Sequence, residues 1–431
     1  MKVLHLNYYN FGGAGIAATR LNQALVESGV DSTLLVCRKQ GDPAFVNEAS
    51  SFQKGLAQIR NSLSYRGLKR LGFIQNEIKS VNILPSGIIR VINDMNPDVV
   101  HLHWINAEML SIAQLARIKQ PVVWTLHDMW PFCGAEHYTT STRYISGYQK
   151  SGVSGRGAEA GGQKTDRELP DASSLRPEAF FDLDRWTFLR KQKHWKAWHP
   201  HVVTPSRWLA ECARQSVLFK NLSVEAIPNC LNLKVFKPLD RAEAKNRFGL
   251  PLDKKLILFG AYSPMDIRKG GDLLEAALKQ GVDKNWELVV FGASKGEQVA
   301  GLKTHWLGSF SDEDDLAKLY NATDLFAAPS RQDNLPNTCV EAQACGVPVV
   351  AFNIGGLSDI VEHETTGFLA RPFDTRHLME GICQVFAQDR HAAEAMRKKA
   401  RENAEKKFSM AEVASQYSTI YNEVLGRDDS R

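Results

Sequence analysis

Two acids, Asp333 and Glu341, stand eight positions apart in the stretch Ser330 to Gly356, SRQDNLPNTCVEAQACGVPVVAFNIGG. A carboxylate just inside a helix can accept both hydroxyls of a ribose. One in the preceding loop can accept sugar hydroxyls, and free N–H groups at a helix start attract phosphate. That combination suits a nucleotide-sugar. The same acids would also favour the positive end of a helix dipole with no ligand present. Other groups fit the same chemistry. Arg268 and Lys269 precede the glycine pair Gly270-Gly271, where cations and backbone N–H groups can converge on a diphosphate. His127 and Asp128 directly follow an apolar run and are suited to positioning or deprotonating a hydroxyl.

These residues need elements to hold them. Asp324 to Pro329 reads as a buried strand, Asp333 to Asn337 as a polar turn, and Thr338 as the cap of a helix with Glu341 in its first turn. Gly346 ends that helix, and Val347 to Phe352 returns as a strand. At the start of the chain, Val3 to Asn7 reads as a strand and Ile16 to Ser28 as a helix. Between them lies the loop Asn10-Phe11-Gly12-Gly13-Ala14-Gly15, a turn compatible with phosphate. Gly13, Gly15 and Ala18 satisfy G-x-G-x-x-A. The next strand, however, ends in Arg38 and Lys39 rather than an acid, which counts against NAD and leaves NADP open. Asp98 to His103 and Val122 to Leu126 are further strands, and ligands collect at the carboxyl ends of such strands. Strands and helices alternate twice around parallel sheets, so the fold class is α/β with two Rossmann-like domains facing a cleft.

Composition narrows the setting. The chain has 431 residues, room for two or three domains, and a net charge of +5 with the basic excess in its first half. An anionic partner for that half follows. The Ser51 to Ser80 stretch alternates Ile59, Leu63, Leu68, Leu71 and Phe73 with Lys54, Arg60, Arg66, Lys69 and Arg70. It reads equally as a helix on an anionic membrane and as a solvated helix packed on the domain. Phe180 to Trp198, basic and aromatic, reads as a membrane-interface helix in preference to a nucleic-acid groove. The segment 139–178 is rich in Gly, Ser and charge and reads as a flexible insertion. Seven scattered cysteines show no C-x-x-C spacing, which argues against structural zinc and disulfides and for a cytoplasmic setting. His127, Glu136 and His137 match no helical metal motif, so no metal is expected. The N-terminal apolar run is too short for a signal peptide, and no apolar run is long enough to span a membrane.

The central stretch resembles the signature of the retaining glycosyltransferases of family 4, E-x7-E followed by C-G-x-P-V-V and G-G. Asp333, Pro336, Asn337, Glu341, Ala342, Gly346, Pro348, Val349, Val350, Gly355 and Gly356 carry the likeness. Asp333 stands where the family has Glu, and Ala261 where many members have Arg. The block T-L-H-D-M-W-P-F-C-G-A-E-H-Y resembles members that build bacterial surface polysaccharides. The resemblance implies the GT-B fold: an acceptor-side domain over 1–235, a donor-binding domain over 236–408, and a last helix, 409–431, crossing back. It implies transfer of a sugar from a nucleoside diphosphate to a lipid-linked or oligosaccharide acceptor at the inner membrane face. The product would be exopolysaccharide, capsule or O-antigen, and neither a cofactor nor nucleic acid would take part. His127, Asp128 and Asp333 would be the catalytic residues. Gly12, Gly13, Ala14, Arg268, Lys269, Asn334, Leu335, Asn337 and Glu341 would bind the donor. Glu136 and His137 are further candidates. A sugar-nucleotide epimerase and a non-catalytic partner in polysaccharide assembly remain as alternatives.

Overall fold

The computed structural model describes residues 1–74, 78–149, 181–260 and 266–427. Most of the 139–178 segment and Ala261 lie outside the described residues. The first half forms a seven-stranded parallel sheet in the order β3-β2-β1-β4-β5-β6-β7. Its strands are β1 (Lys2–Tyr9), β2 (Asp31–Arg38), β3 (Val46–Glu48), β4 (Val99–Leu102), β5 (Val122–Thr125), β6 (His201–Thr204) and β7 (Val224–Ala226). The second half forms a six-stranded parallel sheet in the order β10-β9-β8-β11-β12-β13. Those strands are β8 (Lys255–Gly260), β9 (Trp286–Phe291), β10 (Thr304–Trp306), β11 (Leu325–Ala328), β12 (Val349–Phe352) and β13 (Gly367–Ala370). The central strands are buried on both faces, as parallel strands are when helices cover both sides, and β1 and β4 carry His5 and His101 within that buried layer.

The glycine loop is shorter than its sequence predicts. The first helix spans Gly12–Glu27, so Gly12, Gly13 and Ala14 form its opening turn rather than a separate loop. Gly12 has φ +69°, a left-handed value that glycine adopts without cost. A Cβ built on Gly12 or Gly13 would meet nothing within 4 Å, whereas one on Gly15 would meet the backbone of Asn10 at 2.7 Å. Gly15 therefore lets the helix close against β1, while the first two glycines face open space.

The chain crosses between domains twice, side by side. Leu231 N donates to Phe408 O at 2.8 Å, and Leu231 bridges Ser409. The final helix, Met410–Val424, then lies on the first sheet. Its Val413, Ala414, Tyr417, Ile420 and Tyr421 are buried with Val3, Leu21, Leu25, Val99, Val123 and Val203.

One surface expectation needs correction. The Leu183–His194 helix is not a membrane face: Lys191 is fully buried, its ammonium over the Trp130 ring and bonded to the carbonyls of Cys133 (3.0 Å), Gly134 (2.7 Å) and Trp130. Trp195 is buried against Trp124 and Trp130 and donates to Ile112 O at 2.8 Å. Basic and aromatic residues are interleaved there because the aromatics build the core and one lysine caps carbonyls inside it. Arg401 donates to the carbonyls of Phe236 (2.5 Å), Ala344 (2.8 Å) and Leu233 (3.2 Å) and ties a helix end to the crossover.

Candidate active site

The second domain contributes the loop between β11 and the helix Asn337–Ala344. That helix begins two residues earlier than a Thr338 cap would place it; Pro336 is its N-cap residue, and no side chain caps its first turn. Its opening amides are thus left for another acceptor. The Gly12–Glu27 helix of the first domain has no side-chain cap either. Asn337 brings the two starts together: its Nδ2 donates to Gly13 O at 3.1 Å, and its Oδ1 accepts from Asn229 Nδ2 at 3.1 Å. Two uncapped helix N-termini from different domains therefore meet across the cleft, a concentration of positive partial charge.

Asp333 is buried beside this junction. Lys269 Nζ lies 2.6 Å and Arg268 Nη1 3.6 Å from its Oδ2, and its Oδ1 accepts from Asn334 N at 3.2 Å. Burial alone would raise the carboxyl pKa, but Lys269 and Arg268 overcome it and hold the group below its ordinary value. Lys269 comes from the short 3-10 turn Ile267–Lys269, which the Asp266 side chain caps through Arg268 N. The Arg268 guanidinium also sits over the Tyr138 ring of the first domain, 5.2 Å from its centroid.

Glu341 lies just past the first turn of its helix and is buried. Its Oε1 accepts from Arg20 Nη2 at 2.8 Å, and its Oε2 from Tyr320 Oη at 2.8 Å. Arg20 belongs to the first domain and also holds Glu313 at 2.7 Å. Burial works against the guanidinium charge, and Glu341 and Glu313 more than offset it, so its pKa is raised. Arg20 and Tyr320 escape a reading by motif. The one sequence signal is an arginine among the buried Ala17, Ala18, Leu21, Ala24 and Leu25 of a mostly apolar helix.

The other predicted donor residues divide by role. Asn334 joins the domains: its Oδ1 accepts from Ser206 Oγ at 2.5 Å, and its Nδ2 donates to the carbonyls of His127 (3.2 Å) and Leu126 (3.3 Å). Leu335 packs into the second-domain core. Gly356 makes the turn around this loop possible, because a Cβ there would sit 1.7 Å from Asn334 O.

On the first domain, Asp128 is fully engaged. Its Oδ2 accepts from Trp104 Nε1 at 3.0 Å and pairs with His137 Nδ1 at 2.6 Å, while its Oδ1 accepts from Trp130 N at 3.0 Å. Burial opposes ionisation, yet His137 and these donors hold its pKa below the ordinary value. His137 Nε2 in turn bonds Ser80 Oγ at 2.8 Å, and Glu136 is buried with the Tyr148 hydroxyl on it. Burial and the nearby Asp184 push the Glu136 pKa up to about 7. His127 sits at the cleft, its Nε2 bonded to His103 Nδ1 at 3.1 Å, and burial lowers its pKa to about 4. These three residues thus build the loop that presents His127. Among the described residues, His5, His101 and His103 bring ring nitrogens within 4.8 Å of one another, as metal ligands would. Both nitrogens of His101 and of His103 are already hydrogen-bonded, which does not fit an ion there.

Residues 11–235, more than half of the sequence, match the family model described as Glycosyltransferase Family 4, and residues 253–388 match Glycosyl transferases group 1. The chain belongs to glycosyltransferase family 4. Among curated relatives, it is 26% identical over 218 residues to N-acetyl-alpha-D-glucosaminyl L-malate synthase of Bacillus anthracis, covering 48% of this chain and 56% of that protein. It is 32% identical over 199 residues to D-inositol 3-phosphate glycosyltransferase of Mycolicibacterium paratuberculosis, covering 42% and 43%. The chain spans about half the length of the curated relatives it matches. Among solved structures, sucrose-phosphate synthase from Thermosynechococcus elongatus superposes with TM-score 0.66 at 18% identity, covering 99% of this chain and 100% of that one. Anabaena HepE in complex with UDP-glucose gives 0.63 at 17% identity, covering 98% and 100%. These likenesses establish the two-domain GT-B fold for this family 4 member. The relatives' names do not single out surface-polysaccharide synthesis.

Proposed function

We propose that this family 4 member is a retaining transferase that moves a sugar from a nucleoside diphosphate to a lipid-linked or oligosaccharide acceptor in surface-polysaccharide synthesis. The observation that carries the reading is the meeting of two uncapped helix N-termini through Asn337 and Gly13, with Lys269 and Arg268 on Asp333 beside them. A departing diphosphate needs such a field, and fixed charges aimed at a leaving group are commonly the largest electrostatic contribution to a rate. In this reading the diphosphate competes with Asp333 for both cations, and Asp333 is released toward the donor sugar. Glu341 offers ribose the lone pairs that Arg20 and Tyr320 leave. Asp128 serves as the brace of the His127 loop rather than as a base, because its acceptor sites are occupied.

The Anabaena relative solved with UDP and glucose makes a UDP-sugar the first donor to try. The Ser51–Arg70 helix supports a membrane-bound acceptor: Ile59, Leu63 and Leu71 are 56%, 60% and 69% exposed, and Arg66, Lys69 and Arg70 are exposed among them. No helix among the described residues is long and apolar enough to cross a membrane.

The test is a thermal-shift titration with UDP, GDP, ADP and their common sugar conjugates on the full chain and on Lys269→Ala and Glu341→Ala. A ligand that binds only the folded state raises the midpoint with concentration. One diphosphate should stabilise the parent and neither variant. No shift with any of them at millimolar concentration would count against the reading.

A further inference from the structure

Three imidazoles run from the core of the first domain to the cleft. His5 Nδ1 lies 2.9 Å from His103 Nε2, and His103 Nδ1 lies 3.1 Å from His127 Nε2. They arise because β1 and β4 are neighbours with His5 opposite His101, and His103 follows two residues on, on the same side of the sheet. His5 and His103 are buried, 0% and 3% exposed. Their surroundings suppress protonation, so each ring carries one N–H and each contact needs one donor and one acceptor. The protons must therefore all point the same way along the chain.

Two polarities satisfy that rule, and the inner end chooses between them. His5 Nε2 is buried and has no hydrogen-bond partner. If the protons point inward, His5 buries an orphaned N–H. If they point outward, it buries only a bare lone pair. Orphaned buried N–H groups are rarer in folded proteins than under-used acceptors. We infer that His5 and His103 set the tautomer of His127: His5 Nδ1–H donates to His103, His103 Nδ1–H donates to His127 Nε2, and His127 presents Nδ1–H as a donor. His103 and His5 are thus positioning residues, and His127 is a hydrogen-bond donor toward a ligand oxygen, not a base. The consequence for sugar transfer rests on the function proposed above; the tautomer itself does not.

The experiment reads the tautomer directly. Long-range proton–nitrogen spectra of the full chain, with 15N-histidine and no nucleotide, distinguish Nδ1–H from Nε2–H, and His127→Asn assigns the resonance. The parent should show His127 as Nδ1–H. His5→Asn, whose amide keeps a donor near the position of Nδ1, should preserve that pattern. His5→Leu removes the donor and should give a mixture. An Nε2–H pattern in the parent overturns the inference, as does a His127 spectrum unchanged in His5→Leu. Zinc added to the parent should leave the rings of His5, His101 and His103 unperturbed. A stoichiometric shift of all three with a raised melting midpoint would mean a metal site and overturn the chain. Because no nucleotide enters the spectra, failure of the donor titration leaves these outcomes standing.

Discussion

At the scale of single residues, the site is built from charges that hold one another. Lys269 reaches Asp333 at 2.6 Å, and Arg20 reaches Glu341 at 2.8 Å, each pair largely out of water. Removing one partner of a buried pair strands the other, at about 3–5 kcal/mol. Arg20→Met should therefore destabilise the protein by about that amount in urea unfolding, while the double substitution Arg20→Met with Glu341→Gln should recover much of it. Equal loss in single and double variants would show that the pair is not coupled. Lys269→Met should lower kcat/KM for a nucleotide-sugar by about two to three orders of magnitude, the scale of losing one fixed donor to a developing charge. A loss confined to KM would assign Lys269 to binding the ground state and the transition state equally.

At the scale of elements, the loop between β11 and the Asn337–Ala344 helix is where the two domains lock. Asn334 bonds Ser206 and the carbonyl of His127, Gln332 donates to Thr139 O at 3.1 Å, and Arg207 pairs with Asp359 at 2.6 Å. Gly355 and Gly356 wrap this loop at distances no Cβ allows: 1.9 Å from Asp333 O and 1.7 Å from Asn334 O. Gly356→Ala must push the loop aside, an overpacking cost of about 1–3 kcal/mol. It should also weaken nucleotide binding, which titration calorimetry would detect. Unchanged stability and affinity would mean that the loop moves freely. The Ser51–Arg70 helix makes a different prediction. Replacing Ile59 and Leu63 by Ser should lower sedimentation with anionic vesicles at least tenfold, since one buried aliphatic side chain is worth about 1.5 kcal/mol or more. Equal sedimentation of parent and variant would remove that face from consideration.

At the scale of the whole molecule, the buried histidines govern stability in acid. Burial lowers the pKa of His5 to about 3 and of His127 to about 4, and holds His101 and His103 well below 6.5. The unfolded chain protonates these groups near 6.5 while the folded chain does not. The unfolded state therefore gains protons, and stability, as pH falls below that value. Glu136, raised to about 7, works the other way between 4.5 and 7, one group against four. Unfolding free energy measured by urea at pH 8, 7, 6 and 5 should fall below pH 6.5, each imidazole contributing about 1.4 kcal/mol per pH unit. A flat profile would mean that the histidines are hydrated in the folded state.

The local pattern was legible wherever one element carries the signal by itself. Alternating apolar runs and turn residues marked the strands, and the spacing of Asp333 and Glu341 with the proline and glycines around them marked the loop and helix that position the cleft. Lys269 and Asp333 could be named because each lies in a short motif. The partners could not, since they come from far along the chain: Arg20 lies on the first helix, and Tyr320 precedes Glu341 by a whole strand. Basic and aromatic composition over 181–198 could not separate a membrane face from a core, because Lys191 becomes buried only when the carbonyls of Trp130, Cys133 and Gly134 gather around it. The order of residues determined two parallel-sheet domains and the cleft between them. Only the tertiary structure decided which charges neutralise one another and which histidines touch, because both depend on strands and helices brought side by side.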